Sequence, residues 1–475
     1  MSVERVAIIG LDCAEPTLVF DRWAADLPNL TALRRRGSYG NLTSSMPPVT
    51  VPAWSCMAAS KDPGTLGIYG FGNRKDHGYE GLSIAMSNAV KEPRLWDILT
   101  RTGQPSIIVG VPGTFPIMKP IKGQMVSCFL TPNPEDAYGS DHPIKQFTHP
   151  PSLKHTIKRL VGEYMVDVKG FQTESKQSVL DQIYEMSRRQ FKVVEHLAAN
   201  EPWRLLFMVE MGVDRMHHGF WQFFDEKHHR YQKDNPFESA IKDYYVHVDR
   251  LIGRLIETCD PARTAFFVTS DHGAKRLEGG VCINDWLIRE GYLVLKEPAS
   301  APTKFKAGMV DWSKTRAWGE GGYYGRLYIN VAGREPQGVV TTADYERLRD
   351  EIISRLESLP DDKGHAMATR ACKPEDIYRR VNGVPPDLIV IFGDLNWRAA
   401  GTIGNDSLYT FSNETGPDDA NHAQEGMYIL ARPGGAGPKG RIDAATLYDV
   451  APTTLELLGI PVPADMIGKS LVSDE

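Results

Sequence analysis

The sequence predicts an α/β fold: a mostly parallel central sheet flanked by helices on both faces, plus an inserted cap subdomain. Short β-branched apolar runs recur at 6–12 ("VAIIGLD"), 105–112 ("PSIIVGVP"), 204–212 ("RLLFMVEMG"), 264–271 ("TAFFVTSD"), 386–394 ("PDLIVIFGD") and 426–434 ("GMYILARPG"). Continuous apolar strands alternating with helical patterns belong to sheets covered on both sides. The second observation is the break in this rhythm over 299–383, which opens Gly-rich and aromatic, then carries a helix near 343–357. Strand-like sequence resumes only at 386, so the catalytic core is expected at 1–298 and 384–475 and the cap at 299–383.

Between the runs, "KQSVLDQIYEMSRRQFKVVEHLAAN" within 160–202 and "ESAIKDYYVHVDRLIGRLIE" within 223–258 place Leu, Ile and Val at amphipathic helical spacing. Residues 113–160, rich in Pro, Lys and His, read as irregular. No internal repeat or low-complexity tract is visible.

Composition narrows the function classes. The chain has 475 residues, and 54 Lys plus Arg against 60 Asp plus Glu give a net charge of -6 with no long run of either sign. Neither a nucleic-acid polymer nor a membrane surface is an expected partner. The first strand begins at residue 3, which leaves no room for a signal peptide, and no run of 18 apolar residues occurs. A cytoplasmic location is expected. The six cysteines are widely spaced, without a Cys-x-x-Cys pair, which is reduced-compartment usage. Oligomeric state leaves no mark on the sequence.

Ligands of open α/β sheets bind beyond the carboxyl ends of the strands. The first run ends in Asp12, the fourth in Asp271-His272 followed by Gly273, and the third runs into Asp214 with His217 and His218 after it. Asp214 and His218 are four apart and share a helical face, although such a pair is also an ordinary surface feature. Asp271 could equally cap a helix, and His422, just before the last strand run, could be a solvated loop residue. Together with Thr50, framed by Pro47, Pro48 and Pro52 in "SMPPVTVPAWSC", these groups adjoin the strands of one sheet. A mixed Asp/His set suits two divalent ions such as Zn²⁺ or Mn²⁺ and not the all-oxygen preference of Ca²⁺.

These motifs ("IIGLD", "PPVTVPAW", "VDRMHH", "TSDHG", "NHAQEGMYIL" and the closing "LYDVAPTTLELLGIPVPADMIGKSL") resemble the alkaline phosphatase superfamily, in its type I phosphodiesterase/nucleotide pyrophosphatase branch. The resemblance covers nearly the whole chain. It implies an alkaline-phosphatase-like sandwich with one metal held by Asp12, Thr50, Asp271 and His272 and the other by Asp214, His218 and His422. It also favours His218 over His217, and it makes Thr50 the nucleophile of two in-line displacements through a phosphothreonine, with the two ions about 4 Å apart. The Thr50-Val51-Pro52 order fits a helix start, where Pro is tolerated and free N–H groups favour an anion. A plain capping hydroxyl is compatible with the same sequence.

The implied substrate is a small phosphorylated molecule, a nucleotide or another organic phosphate ester cleaved at a phosphodiester or pyrophosphate bond. One departure concerns its contacts. The branch carries an asparagine about twenty residues after the nucleophile; here Phe71 fills that slot, Asn73 follows two residues later, and Leu66 stands where relatives tend to have histidine. Asn73, Phe71, Trp54 and Tyr323 are the candidate substrate contacts, with Trp54 also a plausible packing residue. A sulfatase is disfavoured, because Cys56 lacks the Pro and Arg offsets of a formylglycine site. A phosphomonoesterase, a phosphomutase and an inactive binding protein are the remaining alternatives.

Overall fold

The computed structural model describes residues 3–472 apart from 139–141, 143, 144, 173 and 413–417. The strand Arg5–Leu11 lies at the centre of the main sheet, between Leu205–Glu210 and Thr264–Thr269, parallel to both. Ser106–Val109 and Gly123–Val126 extend the parallel set beyond Leu205–Glu210. Alternate residues explain the unbroken apolar runs: Val6 and Ile8 enter one buried layer, while Ala7, Ile9 and Leu11 enter the other. The helices Lys176–Asn200, Gly212–Phe224 and Ala240–Thr258 cover one face. The helices Thr50–Ala59, Leu95–Arg101 and Val450–Leu457 cover the other.

The sheet is mixed at its edges. Glu425–Ala431, expected as one more parallel strand, runs antiparallel to Thr264–Thr269 and pairs on its far side with Ser38–Thr43, a strand whose "SYGNLT" gives no apolar run. The 113–160 interval is also more regular than expected, since it contributes Gly123–Val126, Thr148–His149 and the helix Leu153–Val161. The two long helices start later than the sequence intervals, at Lys176 and Ala240.

A second antiparallel sheet, in the order Ala317–Glu320, Gly325–Ile329, Leu388–Ile391, Arg370–Cys372, forms the cap with the helix Thr342–Glu357 and its own apolar core. Leu388–Ile391 was expected in the central sheet, and its placement here is a correction. An apolar run says that a strand is buried, not which sheet buries it. The strands Gly279–Cys282, Trp397–Ala400 and Tyr409–Thr410 form a separate small sheet, and Val281, Trp397 and Ala399 from it enter the same apolar core. Among the described residues no helix is long and apolar enough to cross a membrane.

Candidate metal centre

Three adjacent parallel strands deliver their carboxyl ends to one rim. Asp12 follows Leu11, Asp271 and His272 follow Thr269, and the Gly212–Phe224 helix that carries Asp214 and His218 follows Glu210. His422 arrives on Ala420–Ala423, an antiparallel ribbon partner of Gly273–Arg276 in which Ala274 faces His422. Thr50 is the first residue of its helix. All seven predicted groups meet in one buried cluster, each between 0% and 4% exposed.

Two neighbourhoods are visible within the cluster. His272 Nε2 lies 3.1 Å from Asp271 Oδ2, 3.8 Å from Asp12 Oδ1 and 3.4 Å from Thr50 Oγ1. His218 Nε2 lies 3.1 Å from Asp214 Oδ1 and 3.2 Å from His422 Nε2. The His272 and His422 rings stack with centroids 3.8 Å apart, and His272 groups with Asp214 and His422 as readily as with Asp12 and Asp271. Cys13, which the sequence did not single out, sits with Asp214 and His218. Its backbone N–H donates to Asp271 Oδ1 at 3.2 Å, and it adopts a left-handed φ of 65°.

The donor chemistry fits divalent cations. Each histidine has its Nδ1 engaged: His272 donates to the Gly273 carbonyl at 3.1 Å, His422 to the Pro48 carbonyl at 2.7 Å, and His218 to Asp418 Oδ1 at 2.6 Å. That fixes the tautomer in which all three Nε2 lone pairs face inward, the arrangement metal-binding histidines require. Asp12 Oδ1, Asp214 Oδ1 and Asp271 Oδ2 are buried and accept no hydrogen bond. Without a cation, Asp214 Oδ1 and Asp271 Oδ2 would face the Nε2 lone pairs of His218 and His272 at 3.1 Å.

The titration behaviour shows the same crowding. Burial and the nearby Asp214 charge push Asp12 well above the usual carboxylate range, and burial with Asp12 does the same to Asp271. Burial acts on Asp214 in that sense too, but His218 and Arg215 outweigh it and hold the carboxylate well below its ordinary value. Burial disfavours a charge on His218, yet Asp418 and Asp214 lift it well above the usual imidazole range. His422 is pushed down to about 4 by burial and by His218, and His272 is lowered by burial and by His422.

Several supporting residues escaped the sequence reading. Glu210 caps the ligand-bearing helix, accepting from Gly212 N at 2.7 Å, Val213 N at 3.1 Å and Tyr244 Oη at 2.7 Å. Arg215 holds Asp214 Oδ2 and is itself gripped by both oxygens of Asp167, at 2.9 and 2.7 Å. Its position beside Asp214 in "VDRMHH" was a signal; the positions of Asp418 and Asp167 gave none. His217 points away from the cluster, with Nε2 3.2 Å from Tyr245 Oη.

The candidate substrate contacts separate. Phe71 and Tyr323 line a cavity of about 1020 Å³ that reaches His218, and the Tyr323 ring lies 4.1 Å from that of His422. Trp54 is 0% exposed and donates its indole N–H to Asp12 Oδ2 at 2.6 Å, which corrects its reading as a substrate face. Asn73 is committed to its own turn, accepting from Tyr69 N at 2.7 Å and donating to Gly70 O at 2.9 Å, so its amide serves the loop and not the cavity.

Comparison with known proteins agrees with this geometry. Residues 6–418 match the family described as type I phosphodiesterase/nucleotide pyrophosphatase. Solved structures of similar fold include phosphonoacetate hydrolase from Sinorhizobium meliloti in complex with phosphonoformate, at 15% identity and a TM-score of 0.61, covering 96% of each chain. Human ectonucleotide pyrophosphatase/phosphodiesterase 5 aligns at 15% identity and a TM-score of 0.53 over 97% of this chain and 96% of that one. An inactive threonine-to-alanine form of the murine enzyme, in complex with AMP, aligns at 14% identity with the same TM-score of 0.53 and the same coverage. No curated protein matches in sequence. The chain belongs to the type I phosphodiesterase/nucleotide pyrophosphatase family of the alkaline phosphatase superfamily, and it is a hydrolase acting on phosphoric ester bonds.

Proposed function

We propose that the chain cleaves phosphodiester or pyrophosphate bonds of a small phosphorylated molecule, a nucleotide or another organic phosphate ester, through a phosphothreonine formed on Thr50. The observation that carries this reading is the position of Thr50 Oγ1, 3.4 Å from His272 Nε2, inside a buried cluster in which one oxygen each of Asp12, Asp214 and Asp271 has no hydrogen-bond donor. Asp12, Thr50, Asp271 and His272 would hold one divalent ion and Asp214, His218 and His422 the other, Zn²⁺ or Mn²⁺ by their donor set. Such ions supply charge neutralisation at phosphorus and at the oxygens that attack and leave.

The chain's own residues do the rest. The Thr50 hydroxyl is held at a helix start whose first amides have no intrahelical acceptor, where an anionic phosphoryl group is favoured. Attack by Thr50 Oγ1 breaks the bond to the leaving oxygen, and attack by water on the phosphothreonine restores the hydroxyl, so configuration at phosphorus is retained overall. Phe71 and Tyr323 offer aromatic surface to the leaving group. The fold relative that binds AMP as an inactive threonine-to-alanine form supports the same assignment.

A panel of p-nitrophenyl mono- and diesters with nucleotides, assayed after loading with Zn²⁺ or Mn²⁺ and again after chelation, tests the reading. Diester turnover that vanishes on chelation is the expected result. A strict monoester preference would favour the phosphomonoesterase alternative, and no turnover of any ester would remove the proposal.

A further inference from the structure

The cavity that reaches His218 is also lined by residues of the second sheet system and its neighbouring loops, and Arg326, Arg398 and Lys304 against Glu320 make that part of the lining net cationic. Arg326, on Gly325–Ile329, and Arg398, on Trp397–Ala400, both line the cavity and are only 8% and 7% exposed. Arg326 donates to the Gly72 carbonyl, and Arg398 to the Ser412 carbonyl at 3.1 Å. Among the described residues neither has a carboxylate within ion-pair distance. Glu320 is the register partner of Arg326 across the two cap strands, and it too stays outside that distance. Lys304 adds a third, exposed cation at the rim.

Of the cavity's other charged groups, Arg215 is paired with Asp167 and Asp214, and Asp418 accepts from His218; Glu320 also lines the cavity, half-buried and with no ion pair among the described residues. A buried guanidinium without a counter-ion is costly, and two on one cavity wall match a bound anion far better than a neutral group. Gly70 keeps the facing loop close: a Cβ there would sit 2.7 Å from Tyr324 Oη and 3.5 Å from Arg326 Nη1. The nucleophile-side loop and the cap thus enclose the guanidinium inside the site.

We infer that the substrate carries a second anionic group, a carboxylate or a further phosphate, beyond the phosphoryl group that reacts, and that Arg326 and Arg398 bind it. This rests on the phosphohydrolase reading above, in which the reacting phosphoryl group lies at Thr50. It separates the physiological substrate from simple neutral-tailed diesters, and it assigns specificity to the cap.

Three esters with a common leaving group test the inference: methyl, carboxyethyl and phosphonooxyethyl p-nitrophenyl phosphate. In the wild type, kcat/KM for at least one anionic-tailed ester should exceed that of the methyl ester by about tenfold or more, the scale of one charge-assisted contact. Whichever tail is preferred identifies carboxylate or phosphate as the source. In Arg326→Gln and Arg398→Gln that ratio should collapse towards one. Binding of ethylphosphonate, phosphonopropionate and ethylenebisphosphonate, measured by calorimetry on metal-loaded protein, gives the same ratio without turnover. Arg326→Lys, with a thermal melt, covers the case in which the glutamine variant unfolds. Hydrolysis of all three esters at equal efficiency would overturn the inference while leaving the reaction class standing. Failure of every ester, with arginine-dependent preference for the dianionic phosphonates intact, would overturn the reaction class instead. Ratios unchanged in both variants would show that the arginines only fasten the cap.

Discussion

His218 donates its Nδ1–H to Asp418 Oδ1 at 2.6 Å, from a position where its Nε2 faces Asp214 and His422. The carboxylate fixes the tautomer and raises the basicity of the ligating nitrogen. Asp418→Asn should therefore weaken divalent-metal affinity by roughly 10- to 100-fold, the usual effect of removing such a partner. Metal titration followed by calorimetry measures this. Wild-type affinity in the variant would show that His218 is held by its packing alone.

Trp54 plays the corresponding part for Asp12, and the sequence provides for it. A Cβ on Gly10 would stand 2.5 Å from the Trp54 ring and 3.0 Å from the Met208 carbonyl, so only glycine lets the indole cross the central strand to the carboxylate. Trp54→Phe keeps a ring but leaves Asp12 Oδ2 without its donor, for an expected loss of about 1–3 kcal/mol. Gly10→Ala should cost at least as much, because the strand backbone cannot yield. Denaturant unfolding of both variants checks the pair; a Gly10→Ala protein as stable as wild type would contradict the argument.

At the start of the ligand-bearing helix, Glu210 satisfies two backbone amides and Tyr244 Oη in a fully buried setting. Glu210→Ala orphans all three donors and should destabilise by roughly 3 kcal/mol or more, whereas Tyr244→Phe should cost about 1 kcal/mol. Equal effects in the two variants would mean that the helix start does not depend on the carboxylate.

Acid should destabilise the fold through histidines outside the metal cluster. Burial pushes His228 and His247 down to about 4 from an ordinary 6.5. His228 Nδ1 accepts from Arg230 N at 3.1 Å, so a proton there would face a donor. Between pH 6.5 and 4 the unfolded chain binds more protons than the native one. The contribution of these groups is therefore fully present above pH 6.5 and is lost as pH falls towards 4. Melting temperature followed over that range should fall less steeply in a His228→Gln, His247→Gln double variant; parallel curves would refute the assignment.

The candidate cluster was legible because three of its groups, Asp12, Asp271 and His272, end apolar runs, and a run whose end carries Asp or Asp-His marks both a strand and the rim where ligands bind. Asp214 and His218 followed from helical spacing, but choosing between His217 and His218 needed the family resemblance, because both are buried on one helix. The Pro48 carbonyl that orients His422 was beyond the sequence, since it depends on where a chain 374 residues away returns. The prolines around Thr50 looked like a device for one hydroxyl; their backbone also aims a ligand. Leu388–Ile391 was misassigned for a related reason, because the pairing of a buried strand is decided by chain path and not by composition.

Diester hydrolysis by metal-loaded wild type, Thr50→Ser and Thr50→Ala at matched metal content tests Thr50 as the nucleophile. If Thr50 Oγ1 attacks phosphorus, Thr50→Ala loses activity by at least about a thousandfold while keeping its fold, and Thr50→Ser retains a substantial part of it. Activity within tenfold of wild type in Thr50→Ala would show that another group is the nucleophile.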